Sequence, residues 1–221
     1  MTPVLTIDGP SGVGKGTVAR QVAQHYGWHL LDSGAIYRAF ALAVKAEQVD
    51  TSNTKSLVRV AKNLDLEFKT EAGSELVSVY LNGQEVSGEL RTEKTGELAS
   101  KVAAIGVVRE ALLERQKAFV KAPGLVADGR DMGTVVFPNA AFKVYLTASA
   151  EERANRRLKQ LQKAGHTGII SQILAEVRAR DERDSSRQHS PLKPAEDALI
   201  IDTTELSIDE VIAQVMNLVE A

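Results

Sequence analysis

Nine residues near the amino terminus, Gly9-Pro10-Ser11-Gly12-Val13-Gly14-Lys15-Gly16-Thr17, restrict the possible folds more than any other stretch. Four of the nine are glycines. They separate an apolar run, Val4-Leu5-Thr6-Ile7-Asp8, from a segment in which Val18, Ala19, Val22, Ala23 and Tyr26 share one helical face and Gly27 supplies the stop. A buried strand, a glycine-rich turn and a helix in that order make a backbone cradle. Successive glycines let the chain curl so that several N–H groups point into one concavity. The helix adds the positive end of its dipole, which favours phosphate, and Lys15 adds a mobile charge for outer phosphates. The Thr17 hydroxyl is available to Mg2+, directly or through water. One detail departs from the general pattern: a Ser or Thr should directly follow the lysine, but Gly16 stands there and the hydroxyl comes one residue later.

Further strands are expected at Trp28-His29-Leu30-Leu31-Asp32, at Leu125-Val126-Ala127-Asp128 after the Pro123-Gly124 break, from Phe142 to Leu146 and from Ala198 to Ile201. Helical patterns lie between them. Ser149 followed by Glu152, and Ser207 followed by Glu210, read as capping boxes that open two helices. In the last helix Ile208, Val211, Ile212 and Val215 form an apolar stripe. Strands alternating with helices predict an α/β fold of the P-loop NTPase type, with a five-stranded parallel sheet flanked by helices. One stretch, Leu64 to Val86, breaks the rhythm: Val77, Val79 and Leu81 alternate, and Asn82-Gly83 follows, the strongest short hairpin signal. The expected organisation is a single domain over 1–221, carrying a small antiparallel insert over 64–100 and an arginine-rich lid region over 150–187.

Composition narrows the class. Apolar residues make up 43% of the 221 and charged residues 25%, as in ordinary soluble chains. No apolar run approaches the roughly 20 residues that span a bilayer, and the N-terminal apolar stretch lacks the basic flank of a secretory signal. A cytoplasmic location without membrane partners is expected. With no cysteine, disulfide and thiolate chemistry are excluded. His25, His29, His166 and His189 show no ligand spacing, so no zinc site is expected. Trp28 reads as packing. Net charge is only −2, which argues against nucleic acid as a partner. Charge is uneven, however: Ser149 to Lys193 holds ten Lys/Arg against six Asp/Glu, and the remainder 17 against 23. A basic segment on an acidic body suits a compact anion such as nucleotide phosphate. A monomer is expected.

The acceptor for such a phosphate donor has its own candidates. Asp32-Ser33-Gly34-Ala35-Ile36-Tyr37-Arg38 follows the second strand, at the edge where open α/β sheets bind ligands. Ser33 is suited to cap the next helix, and Tyr37 and Arg38 to bond and neutralise a monophosphate. Asp128-Gly129-Arg130-Asp131 ends the third strand, with Asp128 at the position of a carboxylate that holds Mg2+ through water. Arg153, Arg156 and Arg157 share one helix. Arg180, Arg183, Asp184 and Arg187 fall on one face of the next, provided that helix persists. Each feature alone has a plainer explanation: a helix cap, an acidic turn, a solvated salt-bridge ladder. Together they form a charge clamp for phosphoryl transfer.

At the level of whole motifs the chain resembles the bacterial cytidylate kinases, within the adenylate-kinase-like nucleoside monophosphate kinases. The resemblance rests on GPSGVGKGT, HLLDSGAIYR, VSGELRTE, VREALLERQ, GLVADGRDMGTVVFP and RARDERD, which run from Val4 to about Arg187. It implies a P-loop core, a nucleoside-monophosphate-binding insert and a short helical lid. The implied reaction is ATP-dependent phosphorylation of CMP and dCMP to CDP and dCDP, with Mg2+ accompanying ATP. Carried over position by position, Gly9 to Thr17 and Arg157 bind ATP. Thr17 and Asp128 serve Mg2+, and Lys15, Asp128, Arg130 and Arg180 are catalytic. Ser33, Tyr37, Arg38 and Arg130 contact the acceptor nucleotide, Ser100, Arg109, Asp131 and Arg187 read cytosine, and Arg180 and Asp184 contact its sugar. Chemistry agrees: cytosine offers an amino donor and ring acceptors, which Asp131 or Ser100 and the arginines complement. No general base is required, because the acceptor phosphate is already an anionic nucleophile. Two other readings remain open on the residues: a P-loop kinase for another small phosphorylated or hydroxylic acceptor, and a nucleotide-dependent binding module.

Overall fold

The computed structural model describes residues 2–70, 77–163 and 165–221. Residues 71–76, inside the expected insert, and 164, inside the expected lid region, lie outside the described residues. The chain divides into two compact units. One comprises the residues up to Asp32 together with Gln116–Ala221, and the other is Ser33–Arg115.

The first unit is built on a parallel five-stranded sheet. β1 (Val4–Asp8) is wholly buried at its centre, between β6 (Leu125–Asp128) and β7 (Phe142–Thr147). β2 (His29–Asp32) and β8 (Leu199–Asp202) form the edges, so the strand order is β2-β6-β1-β7-β8. The strands lie where the apolar runs predict, within a residue at either end. Register pairs Ile7 with Asp128, Asp8 with Tyr145 and Asp32 with Asp128. Three carboxylates therefore end neighbouring strands at the carboxyl edge, where ligands of open α/β sheets bind.

Helices flank this sheet. α1 (Lys15–Tyr26) buries Val18, Ala19, Val22 and Ala23 and ends at Gly27, left-handed at φ 62°. It packs against α9 (Ile208–Glu220), whose Val211, Ile212 and Val215 join Leu5, Ile7, Val144 and Ile201 in one core. Full burial of such side chains contributes roughly 1.5–3 kcal/mol each. Ile208, the first residue of the expected stripe, is 38% exposed. The Ser207–Glu210 capping box is complete. At α7 (Ala150–Lys163) Ser149 Oγ accepts from the Glu152 amide, but the Glu152 carboxylate takes Arg156 Nε at 2.9 Å. A cation one turn ahead wins that carboxylate. α8 (Ile170–Ser185) packs on α7, and a single π-helical turn, Met132–Val136, follows β6.

The second unit holds α2 (Ser33–Ala46), α3 (Thr54–Lys62), α4 (Ser87–Leu90), α5 (Glu93–Val102) and most of α6 (Gly106–Lys117). It also holds an antiparallel sheet of β3 (Leu66–Thr70), β4 (Val77–Leu81) and β5 (Gln84–Glu85). Asn82 and Gly83, both at positive φ (51° and 75°), make the tight turn that their sequence predicts. Val79 and Leu81 are buried.

Candidate active site

The chain leaves β1 through Gly9, where an added Cβ would lie 2.0 Å from the Leu146 carbonyl oxygen. Only glycine fits. Gly14 then opens α1 at φ 95°, and no side chain caps the helix. Its amino end faces the glycine loop uncapped, an arrangement suited to an anion. Side chains near and far along the chain pin the loop. Lys15 Nζ donates to the Pro10 carbonyl at 2.7 Å, Arg153 Nη1 to Ser11 at 3.2 Å and Thr203 Oγ1 to Val13 at 3.4 Å. Arg153 is itself buried and makes a two-point pair with Asp181 of α8, at 3.0 and 2.5 Å.

Charge converges beside the loop. Burial, reinforced by the Arg130 charge, pushes Lys15 below its ordinary value, while Asp128 and Asp8 oppose the shift. Burial likewise pushes Asp128 up, against the pull of Lys15. An Asp128 oxygen lies 3.5 Å from where a Gly16 Cβ would stand, so the carboxylate abuts the start of α1. Asp8, 4% exposed, is raised by burial to about 6, although it accepts from the Met132 and Gly133 amides at 2.8 Å each.

A second cluster centres on Asp184. Arg130 Nε donates to its Oδ2 at 3.0 Å, and Arg187 bonds its Oδ1. Burial alone would raise Asp184, but Arg130, Arg187 and Arg180 outweigh it and hold the carboxyl below the usual range. The Arg130 and Arg180 charges also act on Lys15, which ties this cluster to the loop. Asp131 is buried between Arg130 and the π turn, its carbonyl accepting from Val135 at 2.9 Å. The arrangement gathers Arg130, Arg180 and Arg187 about the buried Asp184 carboxylate, with Arg130 and Arg180 close enough to Lys15 to act on its charge.

The second unit carries the other expected residues. Ser33 is buried as the first residue of α2 itself. One turn on, Tyr37 is buried, and the Arg109 guanidinium of α6 stands 5.3 Å from its ring centre. Arg109 Nη1 donates to the Ala103 carbonyl at 3.1 Å, and Ser100 is buried on α5. Arg38 Nη1 donates to the Leu90 carbonyl at 2.6 Å and to Thr92 at 3.3 Å. Its guanidinium rests over Gly96, where a Cβ would come within 2.8 Å.

Comparison with known proteins agrees over nearly the full length. The profile of the family described as Cytidylate kinase matches residues 5–221. This chain belongs to that family. Among its relatives, the cytidylate kinase of Photobacterium profundum is 58% identical over 218 residues, covering 99% of this chain and 95% of the relative. That of Vibrio parahaemolyticus is 57% identical over 220 residues, covering 100% and 96%. That of Aliivibrio salmonicida is 56% identical over 220 residues, covering 100% and 97%.

Within this cytidylate kinase family member, sequence reasoning missed several contributors. Arg153, Arg156 and Arg157 share one helix, yet it is Arg153 that reaches the loop, while Arg156 bonds Thr203 at 3.1 Å and Arg157 lies half-buried one turn on. Gly96, Asp8 and Thr203 carried no local signal at all. The helix bearing Arg180 also stops earlier than the i, i+7 spacing assumed. Ser186 returns both its amide and its hydroxyl to the Glu182 carbonyl, at 2.9 and 2.6 Å, which closes α8. Arg187 therefore reaches Asp184 from beyond the helix end.

Proposed function

We infer that this protein transfers the γ-phosphoryl group of ATP to CMP and dCMP, giving ADP with CDP or dCDP. Family membership across residues 5–221 carries the reading. The pinned glycine loop and the adjoining arginine clusters supply its chemistry. In this mechanism the loop amides and Lys15 hold the donor phosphates, Lys15 exchanging the Pro10 carbonyl for phosphate oxygen. An acceptor phosphate oxygen attacks the γ-phosphorus in line while the bond to the β-bridging oxygen breaks. Arg130 and Arg180 neutralise the charge that builds up as two anions approach. Arg157 adds to the ATP contacts. Ser33, Tyr37 and Arg38 bind the acceptor phosphate, Arg180 and Asp184 the sugar, and Asp131, Ser100, Arg109 and Arg187 the base. In this reading 64–100 is the nucleotide-selecting insert and 150–187 the lid, whose closure excludes water.

The donor atoms fit Mg2+. Thr17 and Asp128 offer hard oxygens at the start of α1, and among the described residues no group of three or more His, Cys, Asp or Glu could hold a metal. Such a partial shell suits an ion completed by phosphate oxygens and water. When bound, Mg2+ supplies charge neutralisation and alignment of the donor phosphates. No helix among the described residues is long and apolar enough to cross a membrane.

A coupled ADP-release assay across CMP, dCMP, UMP, AMP and shikimate tests the reading. Cytidine nucleotides should give the highest kcat/KM; a preference for any other acceptor overturns it. Asp131→Ala should raise the CMP KM and narrow the CMP-over-UMP ratio by about 10-fold, since uracil leaves fewer partners of a cytosine site unpaired once Asp131 is gone.

A further inference from the structure

The π turn is capped from far away. Asp131 occupies its N-cap position, where an aspartate ordinarily bonds the turn's own amides, yet its side chain makes no cap bond. Asp8 does so instead, 124 residues earlier in the chain: Oδ1 accepts from the Met132 amide and Oδ2 from the Gly133 amide. Each oxygen takes one of two consecutive amides, so the turn is fixed in position and in tilt. Gly133 completes the seat. A Cβ there would lie 2.9 Å from Thr6 Oγ1 and 3.4 Å from Asp8 Oδ2, so only a bare backbone comes this close to β1. On the other side of Asp131, Arg130 is anchored by Asp184. Asp131 is thus held at both flanks, and the first amides of the turn are capped by Asp8. A buried carboxylate such as Asp8 is costly to keep, which favours a functional reason for it.

We propose that Asp8 is a positioning residue for acceptor selection, capping the Met132–Val136 turn in place of Asp131 and so aiming the Asp131 carboxylate at the base. This rests on the assignment of Asp131 to base reading made above. Asp8 also lies close enough to Lys15 to act on its charge, so a loss of donor binding must be separated from a loss of base choice. The ratio of kcat/KM for CMP and UMP makes that separation, because a weakened donor site lowers both alike.

The test is initial-rate kinetics with CMP and UMP on the wild type, Asp8→Asn, Asp131→Ala and the double variant. Asp8→Asn should cut the CMP-over-UMP ratio by at least about 10-fold, mainly through the CMP KM, with the ATP KM moving less than about 3-fold. In the Asp131→Ala background the same change should alter the ratio by less than about 2-fold, because both substitutions remove one function. Equal losses for CMP and UMP, or additive effects in the double variant, would overturn the proposal. A wild type with no preference for CMP sinks the cytidylate reading itself, a distinct result. Should Asp8→Asn fail to fold, Gly133→Ala pushes the turn away from the Thr6 hydroxyl at 2.9 Å and so off the Asp8 carboxylate. It should lower the ratio at least about 3-fold, and an unchanged ratio overturns the proposal.

Discussion

Lys15 illustrates how the fold holds a buried cation in place. Its ammonium is buried and near two arginine charges, and it is held by the Pro10 carbonyl at 2.7 Å with Asp128 and Asp8 nearby. Removing it should leave the loop shaped by Arg153 and Thr203 but without its charge. Lys15→Ala is expected to lower kcat by at least about 100-fold, in the range found for a lost transition-state donor. CMP affinity measured by calorimetry should change little. Asp184 has the reverse task of holding cations in place. Asp184→Ala leaves Arg187 (4% exposed side chain) and Arg130 (19%) without their shared carboxylate. The loss should be roughly 3–5 kcal/mol in urea denaturation, the cost of uncompensated buried charge.

Among the elements of the second unit, α2 and α5 pack closely together. Arg38 on α2 spans the Leu90 and Thr92 carbonyls only because α5 presents Gly96 beneath its guanidinium. Helix propensity favours alanine at such a mid-helix glycine by about 1 kcal/mol. The clash falls instead on the mobile end of Arg38. Gly96→Ala should therefore leave thermal stability level or slightly higher and raise the CMP KM about 5-fold or more, with ATP unaffected. A large fall in Tm without a KM change would show that Gly96 serves packing alone.

For the molecule as a whole, the buried carboxylates set opposing responses to pH. Asp184 is held below its ordinary 3.8, so its stabilisation is present above that value and disappears as pH falls through the folded-state value. Urea midpoints should decline on acidification from pH 5 to 3 more steeply for the wild type than for Asp184→Asn. Asp8 is raised from 3.8 to about 6, so its contribution is greatest below 3.8 and is lost as pH rises towards 6. Relative to the wild type, Asp8→Asn should gain on the order of 2 kcal/mol between pH 4 and 7.

What the amino-acid string determined by itself was everything set by neighbours along the chain. The glycine loop, the parallel strands, the Asn82-Gly83 turn and the Ser207 cap each follow from a positive φ, an apolar period or a side chain within four residues of its partner. The family was equally legible, because its motifs are contiguous. Only the folded chain decided which distant groups meet. Arg153 reaches Ser11 across 142 residues, Asp8 caps Met132 across 124, and Arg38 finds Leu90 across 52. No local pattern encodes such contacts, since they arise where packing of the strands and helices delivers a buried donor to an acceptor that must be satisfied.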